Sequence, residues 1–198
     1  MKIYLPSSKK PFIDQLFAAG AHFALPKARR HPSTKKLIFG SKNGIEIFDL
    51  EKTAPQIEKA LAYIKTLGAD KKTVLFVGGK SEVRSITKTA AEALNLPYVA
   101  GRWIGGTLTN FKEVRGRVET MLTLQAQREK GELVKYTKKE RLLIDRQIDN
   151  LEFYFSGIVA LKELPKALIV VDPRAEIIAV TEAKRMGIPV VAIANSDC

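Results

Sequence analysis

Gly79-Lys80-Ser81 follows an apolar run and opens a helical pattern, and Leu168 to Asp172 sets four apolar residues ahead of an acid. A lysine for phosphates and an acid for a metal are what a nucleoside triphosphate site would use. A phosphate-cradling loop, however, needs G-x-x-x-x-G-K-[ST], because the intervening backbone amides wrap the phosphates. Here the first glycine would fall at Val74, inside the strand. The residues are therefore read as a tight strand-to-helix turn with Ser81 as the cap, and a nucleotide-dependent α/β enzyme is kept as an alternative. Gly101-Arg-Trp-Ile-Gly105-Gly106 does not supply the G-x-G-x-x-G of a dinucleotide site, so its glycines are read as permitting close backbone approach. His22 and His31 are the only histidines and Cys198 the only cysteine, which leaves no metal-ligand set and no nucleophile-base pair in recognisable spacing. No cofactor and no catalysis are expected.

The chemistry that remains is electrostatic. The net charge of the 198 residues is +12. Residues 1 to 45 hold nine Lys or Arg against the single acid Asp14, so two thirds of the excess lies in less than a quarter of the chain. Such clustering favours a polyanionic partner, nucleic acid first. Lys27, Arg29, Arg30, Lys35, Lys36 and Lys42 lie between Asp14 and Glu46 with no acid among them and are expected to contact phosphates. A second group, Arg102, Asn110 and Lys112, accompanies Trp103 and Thr107 where a strand ends and a long helix begins. That is the carboxyl edge at which α/β sheets place functional loops. Trp103 is read as buried, while Arg102, Asn110 and Lys112 are expected to orient the following helices or to bind RNA.

These groups need a scaffold. Ile13 to Ala21 predicts a short helix, Pro26 to Lys36 a loop, and Leu37 to Phe48 two strands around an Asn43-Gly44 turn. A helix is expected from about Thr53, where Thr53 and Gln56 have capping-box spacing. Apolar runs at Thr73 to Val77, Tyr98 to Ala100, Ala167 to Val171 and Pro189 to Ala194 alternate with helical patterns at Ser81 to Leu94 and Ala175 to Met186, which implies a parallel sheet covered on both faces. Between the halves, Phe111, Val114, Val118 and Met121, then Ile144, Ile148, Leu151, Phe155 and Ile158, form heptad seams separated by Gly131 to Thr137. They predict an antiparallel, coiled-coil helical hairpin. The expected organisation is an α/β sandwich over 1–110 and 164–198 with a basic N-terminal region, and an inserted hairpin over 111–163 that projects and can be deleted without unfolding the rest. A coiled-coil protein adaptor is a further alternative. The lone terminal cysteine, with neither a membrane-length apolar run nor a secretory signal, suits a cytoplasmic protein without a membrane partner. Pro6, Pro11 and Asp14 interrupt any amphipathic presequence.

Gly101-Arg-Trp-Ile-Gly-Gly-Thr-Leu-Thr-Asn-Phe111 resembles the signature of the bacterial ribosomal protein S-two family, the second protein of the small subunit. Ordered matches at Ala19-Gly-Ala-His-Phe23, Ile38-Phe-Gly40, Asp49-Leu-Glu-Lys-Thr53, Val74-Leu-Phe-Val-Gly78, Thr137-Lys-Lys-Glu140 and Gly187-Ile-Pro-Val-Val-Ala192 extend it over nearly the whole chain. The resemblance implies a three-layer α/β/α sandwich with a mostly parallel, flavodoxin-like sheet, an N-terminal β-hairpin and the inserted helical hairpin. It also implies a ribosome-bound scaffold, not a homo-oligomer, contacting small-subunit rRNA and neighbouring ribosomal proteins, including the first small-subunit protein. The family has a second histidine, in His-Phe-Gly-His, where this sequence has His22-Phe23-Ala24-Leu25, so no metal site is carried across. Its Arg-Trp-Asn-Pro-Lys stretch appears as Arg30-His-Pro-Ser-Thr-Lys35, so only the cations transfer. Members continue beyond the point matching Asn195-Ser-Asp-Cys198 into an Asn-Pro-Asp segment, a strand and a helix.

Overall fold

The computed structural model describes residues 9–198, with the side chains of Lys9, Lys10 and Pro11 excepted. Readings that rest on residues 1–8, the interruption of a presequence by Pro6 among them, lie outside the described residues. The chain forms two compact units, one of residues up to Lys71 together with Ala194–Cys198, the other Lys72–Ile193.

In the first unit, helix α1 (Lys9–Ala18) precedes strand β1 (Phe23–Pro26), two 3-10 turns (Lys27–Arg29 and Pro32–Leu37), strands β2 (Ile38–Lys42) and β3 (Ile45–Phe48), and helix α2 (Leu50–Ala69). The three strands are antiparallel in the order β1-β3-β2. Asn43 and Gly44 both take positive φ, 52° and 78°, the conformation that matches a two-residue hairpin turn to the twist of its strands. Two expectations are corrected. The stretch expected to be a loop follows directly on β1, which ends at Pro26, and is built of two 3-10 turns. Helix α2 starts a turn earlier than Thr53, because the Asp49 carboxylate accepts from the Glu51 and Lys52 amides at 3.1 and 3.3 Å. The Thr53 hydroxyl instead donates back to the Asp49 carbonyl at 2.8 Å.

The second unit contains β4 (Val74–Val77), α3 (Ser81–Ala93), β5 (Tyr98–Val99), α4 (Phe111–Glu129), α5 (Lys138–Phe155), β6 (Ala167–Val171), α6 (Ile177–Arg185) and β7 (Val190–Ile193). All four strands are parallel, in the order β5-β4-β6-β7. The architecture is thus α/β: a four-stranded parallel sheet with helices in one unit and a small antiparallel sheet in the other. Leu75, Val77, Leu168 and Val170, alternate residues of the central strands, are fully enclosed. They share one core with Val114, Val118 and Met121 of α4, Phe155 of α5, and Ala179 and Ala183 of α6.

Helices α4 and α5 run antiparallel. Arg115 donates to the carbonyls of Val159 and Leu161 at 3.0 and 3.2 Å, while further along α4 the Gln125 amide donates to the Glu152 carboxylate. Gly131, at φ 72°, ends α4, and α5 opens with a capping box in which Thr137 and Glu140 each bond the other's backbone. The seam residues near the sheet are core residues in their own right: Val114, Val118, Met121, Phe155 and Ile158 pack with the strands. The hairpin's inner part therefore belongs to the same packed body as the sheet.

Candidate functional site

The segment between β5 and α4 is organised by one carboxylate. Glu182 of α6 is only 5% exposed. Its Oε1 accepts from the Trp103 indole N–H at 3.2 Å and the Gly106 amide at 2.7 Å. Its Oε2 accepts from the amides of Leu108 and Thr109 at 3.0 and 3.2 Å and from the Thr109 hydroxyl at 3.3 Å. Burial pushes the Glu182 carboxyl upward most strongly, but the hydrogen bonds from Gly106, Leu108, Trp103 and Thr109 together outweigh it and hold the group below the usual carboxylate range. A buried charge is tolerated when fixed donors replace its hydration, and five donors do so here.

That fixing decides which side chains face outward. Trp103 and Thr107 are buried, the Thr107 hydroxyl donating to the Ile104 carbonyl at 2.6 Å. Arg102, Asn110 and Lys112 are exposed, and none of their side chains makes a hydrogen bond or ion pair among the described residues. Asn110 occupies the N-cap position of α4 without using its side chain there. Gly106 is needed for its positive φ of 95°, whereas Gly105 has open space around it, so only Gly106 is required by the backbone. Sequence reasoning misses Glu182, because an isolated Glu in an amphipathic helix carries no local mark of burial.

The second cationic surface is in the first unit. Lys27, Arg29, Lys35, Lys36 and Lys42 are all exposed and form no ion pairs among the described residues. Arg30 differs from them. Its Nη1 lies 2.6 Å from Oε1 of Glu46, whose side chain is 4% exposed, so its charge is engaged inside the unit. The 3-10 turns that carry Lys27, Arg29, Lys35 and Lys36 are tied down by the C-terminal residues. Ser196, fully buried, accepts the Leu25 amide on its hydroxyl at 3.0 Å and the His31 amide on its carbonyl at 2.7 Å. The Thr34 and Ser33 hydroxyls donate to the carbonyls of Ser196 and Cys198 at 3.1 and 3.2 Å. Neither Ser196 nor the Arg30–Glu46 pair is apparent from sequence, since the partners are far apart in the chain. His22 stacks on Phe17 at a ring-centroid distance of 4.2 Å and meets Phe23 at 4.0 Å with the rings tilted by 39°.

The residues that suggest a nucleotide enzyme do meet. Lys80 Nζ is 3.1 Å from Asp172 Oδ2. Burial pushes the Asp172 carboxyl up most strongly, and the hydrogen bond and charge of Lys80, together with backbone hydrogen bonds from Ala175 and Arg174, outweigh it and leave Asp172 below its usual range. Between the end of β4 and the start of α3, however, only Gly78, Gly79 and Lys80 intervene, too short a span to wrap a triphosphate. Ser81 is not the cap: Lys80 holds that position without a side-chain cap bond, and the Ser81 hydroxyl donates to Glu82 at 3.0 Å. Gly79 is required by crowding, since a Cβ there would stand 2.2 Å from the Gly101 carbonyl oxygen. Its amide donates to Oε1 of Glu176 at 2.9 Å, and burial raises the Glu176 carboxyl above its ordinary range. Among the described residues no three His, Cys, Asp or Glu gather closely enough to hold a metal, and no helix is long and apolar enough to cross a membrane.

Comparison with known proteins gives one consistent result. A family model described as ribosomal protein S2 matches residues 16–198. The small ribosomal subunit protein uS2 of Coprothermobacter proteolyticus is 40% identical over 186 residues, a span covering 94% of this chain and 69% of that protein.

Proposed function

The chain belongs to the ribosomal protein S2 family, and from that premise we propose that its exposed cations are the surfaces it turns toward ribosomal RNA. It is a structural component of the small ribosomal subunit, associated there with the subunit's RNA and proteins. Lys27, Arg29, Lys35, Lys36 and Lys42 act as phosphate contacts on the first unit, and Arg102, Asn110 and Lys112 act from the loop that Glu182 holds. The observation that carries the reading is this loop: five donors are spent turning Trp103 and Thr107 inward, and the polar side chains left outward have no partner within the described chain. Arg30 is assigned to the fold first, through Glu46.

The finer architecture follows the same reading. The order β5-β4-β6-β7 matches four consecutive strands of a flavodoxin-like sheet, and the distal part of the α4–α5 hairpin is the projecting element. Neighbouring small-subunit proteins, the first among them, are its expected protein partners. The role is one of scaffolding, without catalysis, in the ribosome-bound state in the cytoplasm. The test is an Arg102→Ala, Asn110→Ala double variant, both sites being exposed and free of internal side-chain bonds. It is expected to melt like the parent, to crosslink less to small-subunit rRNA, and to be under-represented in subunits sedimented after a moderate salt wash. Unchanged crosslinking and occupancy would leave the loop as architecture alone.

A further inference from the structure

Where β4 and β6 end, a cleft of about 370 Å³ opens between the β4–α3 turn, the start of the β5–α4 loop and the segment leading into α6. Its position follows from the strand order. From β4 the chain goes first to β5 on one side and later to β6 on the other, and α/β sheets form a crevice at the carboxyl ends of strands that diverge in this way. The walls carry unlike chemistry. Lys80, Arg84 and Arg102 supply three cations from two separate segments, and Trp103, Ile178 and the carboxylate of Glu176 line the remainder.

The charges sort themselves. Lys80 is neutralised by Asp172 at 3.1 Å, so its charge balances an acid of the protein. Arg84 is drawn to the turn, its Nη2 donating to the Gly79 carbonyl at 3.3 Å. Arg102 has no partner among the described residues. Two guanidinium groups lining one cleft suit a phosphate, for which planar forked donors are the best match. In the same lining, Glu176 is 7% exposed, and its Oε1 accepts the Gly79 amide while Oε2 makes no hydrogen bond among the described residues. A carboxylate oxygen accepts from an exocyclic amino group, as on cytosine, and is repelled by the carbonyls that flank the only ring N–H of uracil. Ile178, about half exposed, offers an apolar surface beside it. The cleft volume is at the small end of ligand sites and suits one nucleotide rather than a helix.

We infer that this cleft binds a single unpaired ribonucleotide, its phosphate on Arg84 and Arg102 and the amino edge of an adenine, cytosine or guanine on Glu176. The nucleotide has two chemically equivalent sources, a residue extruded from RNA or a free nucleoside monophosphate. The inference depends on the RNA-facing reading of the 101–112 loop only for the first source. Binding by side chains at one phosphate is distinct from the triphosphate cradle that the three-residue β4–α3 turn cannot form.

Trp103 is the only tryptophan in the chain and lines the cleft, so it reports on occupancy directly. The intact protein is titrated with the 5′-monophosphates of adenosine, cytidine, guanosine and uridine and with inorganic phosphate, following Trp103 fluorescence. A saturable change is expected with at least one of the three amino-bearing nucleotides, and binding about tenfold weaker or more for uridine monophosphate and for phosphate. Arg84→Ala and Arg102→Ala, both at exposed positions, weaken every nucleotide about tenfold. Glu176→Gln erases the preference against uridine. Ultraviolet crosslinking in assembled subunits separates the sources: an adduct between rRNA and residues 79–103 assigns the nucleotide to RNA, and saturable titration without an adduct assigns it to the free pool. No saturable change up to millimolar nucleotide together with no adduct overturns the inference, as does equal binding of phosphate and all four nucleotides. A chain that binds nucleotide yet fails to enter subunits would instead remove the proposed function and leave the cleft standing.

Discussion

Two buried carboxylates show how differently single residues can serve this protein. Glu182 satisfies donors that would otherwise be stranded, so Glu182→Gln, which puts an amide where acceptors are needed, is expected to cost about 2 to 3 kcal/mol at neutral pH. Its carboxyl lies below the usual 4.5 in the folded chain. The stabilisation is therefore present above that value and lost as pH falls through the depressed folded value. Urea melts of parent and variant should differ most at neutral pH and converge in acid; a constant gap would refute the sign. Glu46 is held by Arg30, and its Oε2 is buried without a partner among the described residues. Arg30→Ala leaves that charge alone and is expected to destabilise by about 3 kcal/mol, whereas Arg30→Met with Glu46→Leu recovers most of the loss. If Arg30 served mainly as a phosphate contact, the double variant would melt normally yet still bind rRNA as poorly as the single one.

Elements whose cause is local are legible in sequence, and those fixed by distant partners are not. Strand β6 has the bounds its sequence predicts, because an apolar run limited by Lys166 and Asp172 leaves little choice. The Asn43-Gly44 turn is equally clear, since its positive φ values need those residue types. Sequence alone starts helix α2 too late because Asp49 and Thr53 are both good caps, and only the built helix shows which one receives the amides. The basic segment reads as a free loop because its anchor, Ser196, is 171 residues away from Leu25 and leaves no pattern near it. The outward cations are legible as a charge cluster, but not the exception within it, because Arg30 and Glu46 meet only in the folded unit. For the hairpin, the heptad pattern identifies the helices without saying how far the sheet's core reaches into them. Deleting Lys112 to Glu163 removes Val114, Val118, Met121, Phe155 and Ile158 from the core and is expected to abolish the cooperative melt. Deleting only 123–147 across a short Gly-Ser bridge should preserve it. Calorimetry of the two deletions decides between a separable insert and a shared core.

At the scale of the molecule, two compact units each present cations, and no metal-binding cluster is found among the described residues. Replacing Lys27, Arg29, Lys35, Lys36 and Lys42 by Gln is expected to leave the melting temperature near that of the parent, because none forms an ion pair among the described residues. The same change should flatten the salt dependence of rRNA binding by about 0.7 to 0.9 for each phosphate no longer neutralised. Filter binding across a salt series measures that slope, and an unaltered slope would mean these cations face solvent. The placement of Glu182 has a further effect on timing. Leu108 and its acceptor are 74 residues apart, so the 103–109 loop lacks its anchor until α6 has been made. At about 5 to 20 residues per second of synthesis, that interval lasts roughly 4 to 15 s. During it the nascent chain already displays its N-terminal cations, while Arg102, Asn110 and Lys112 still hang on an unset loop. Capture of RNA by a growing chain would thus begin loosely at one end and acquire its second grip only once Glu182 has been added.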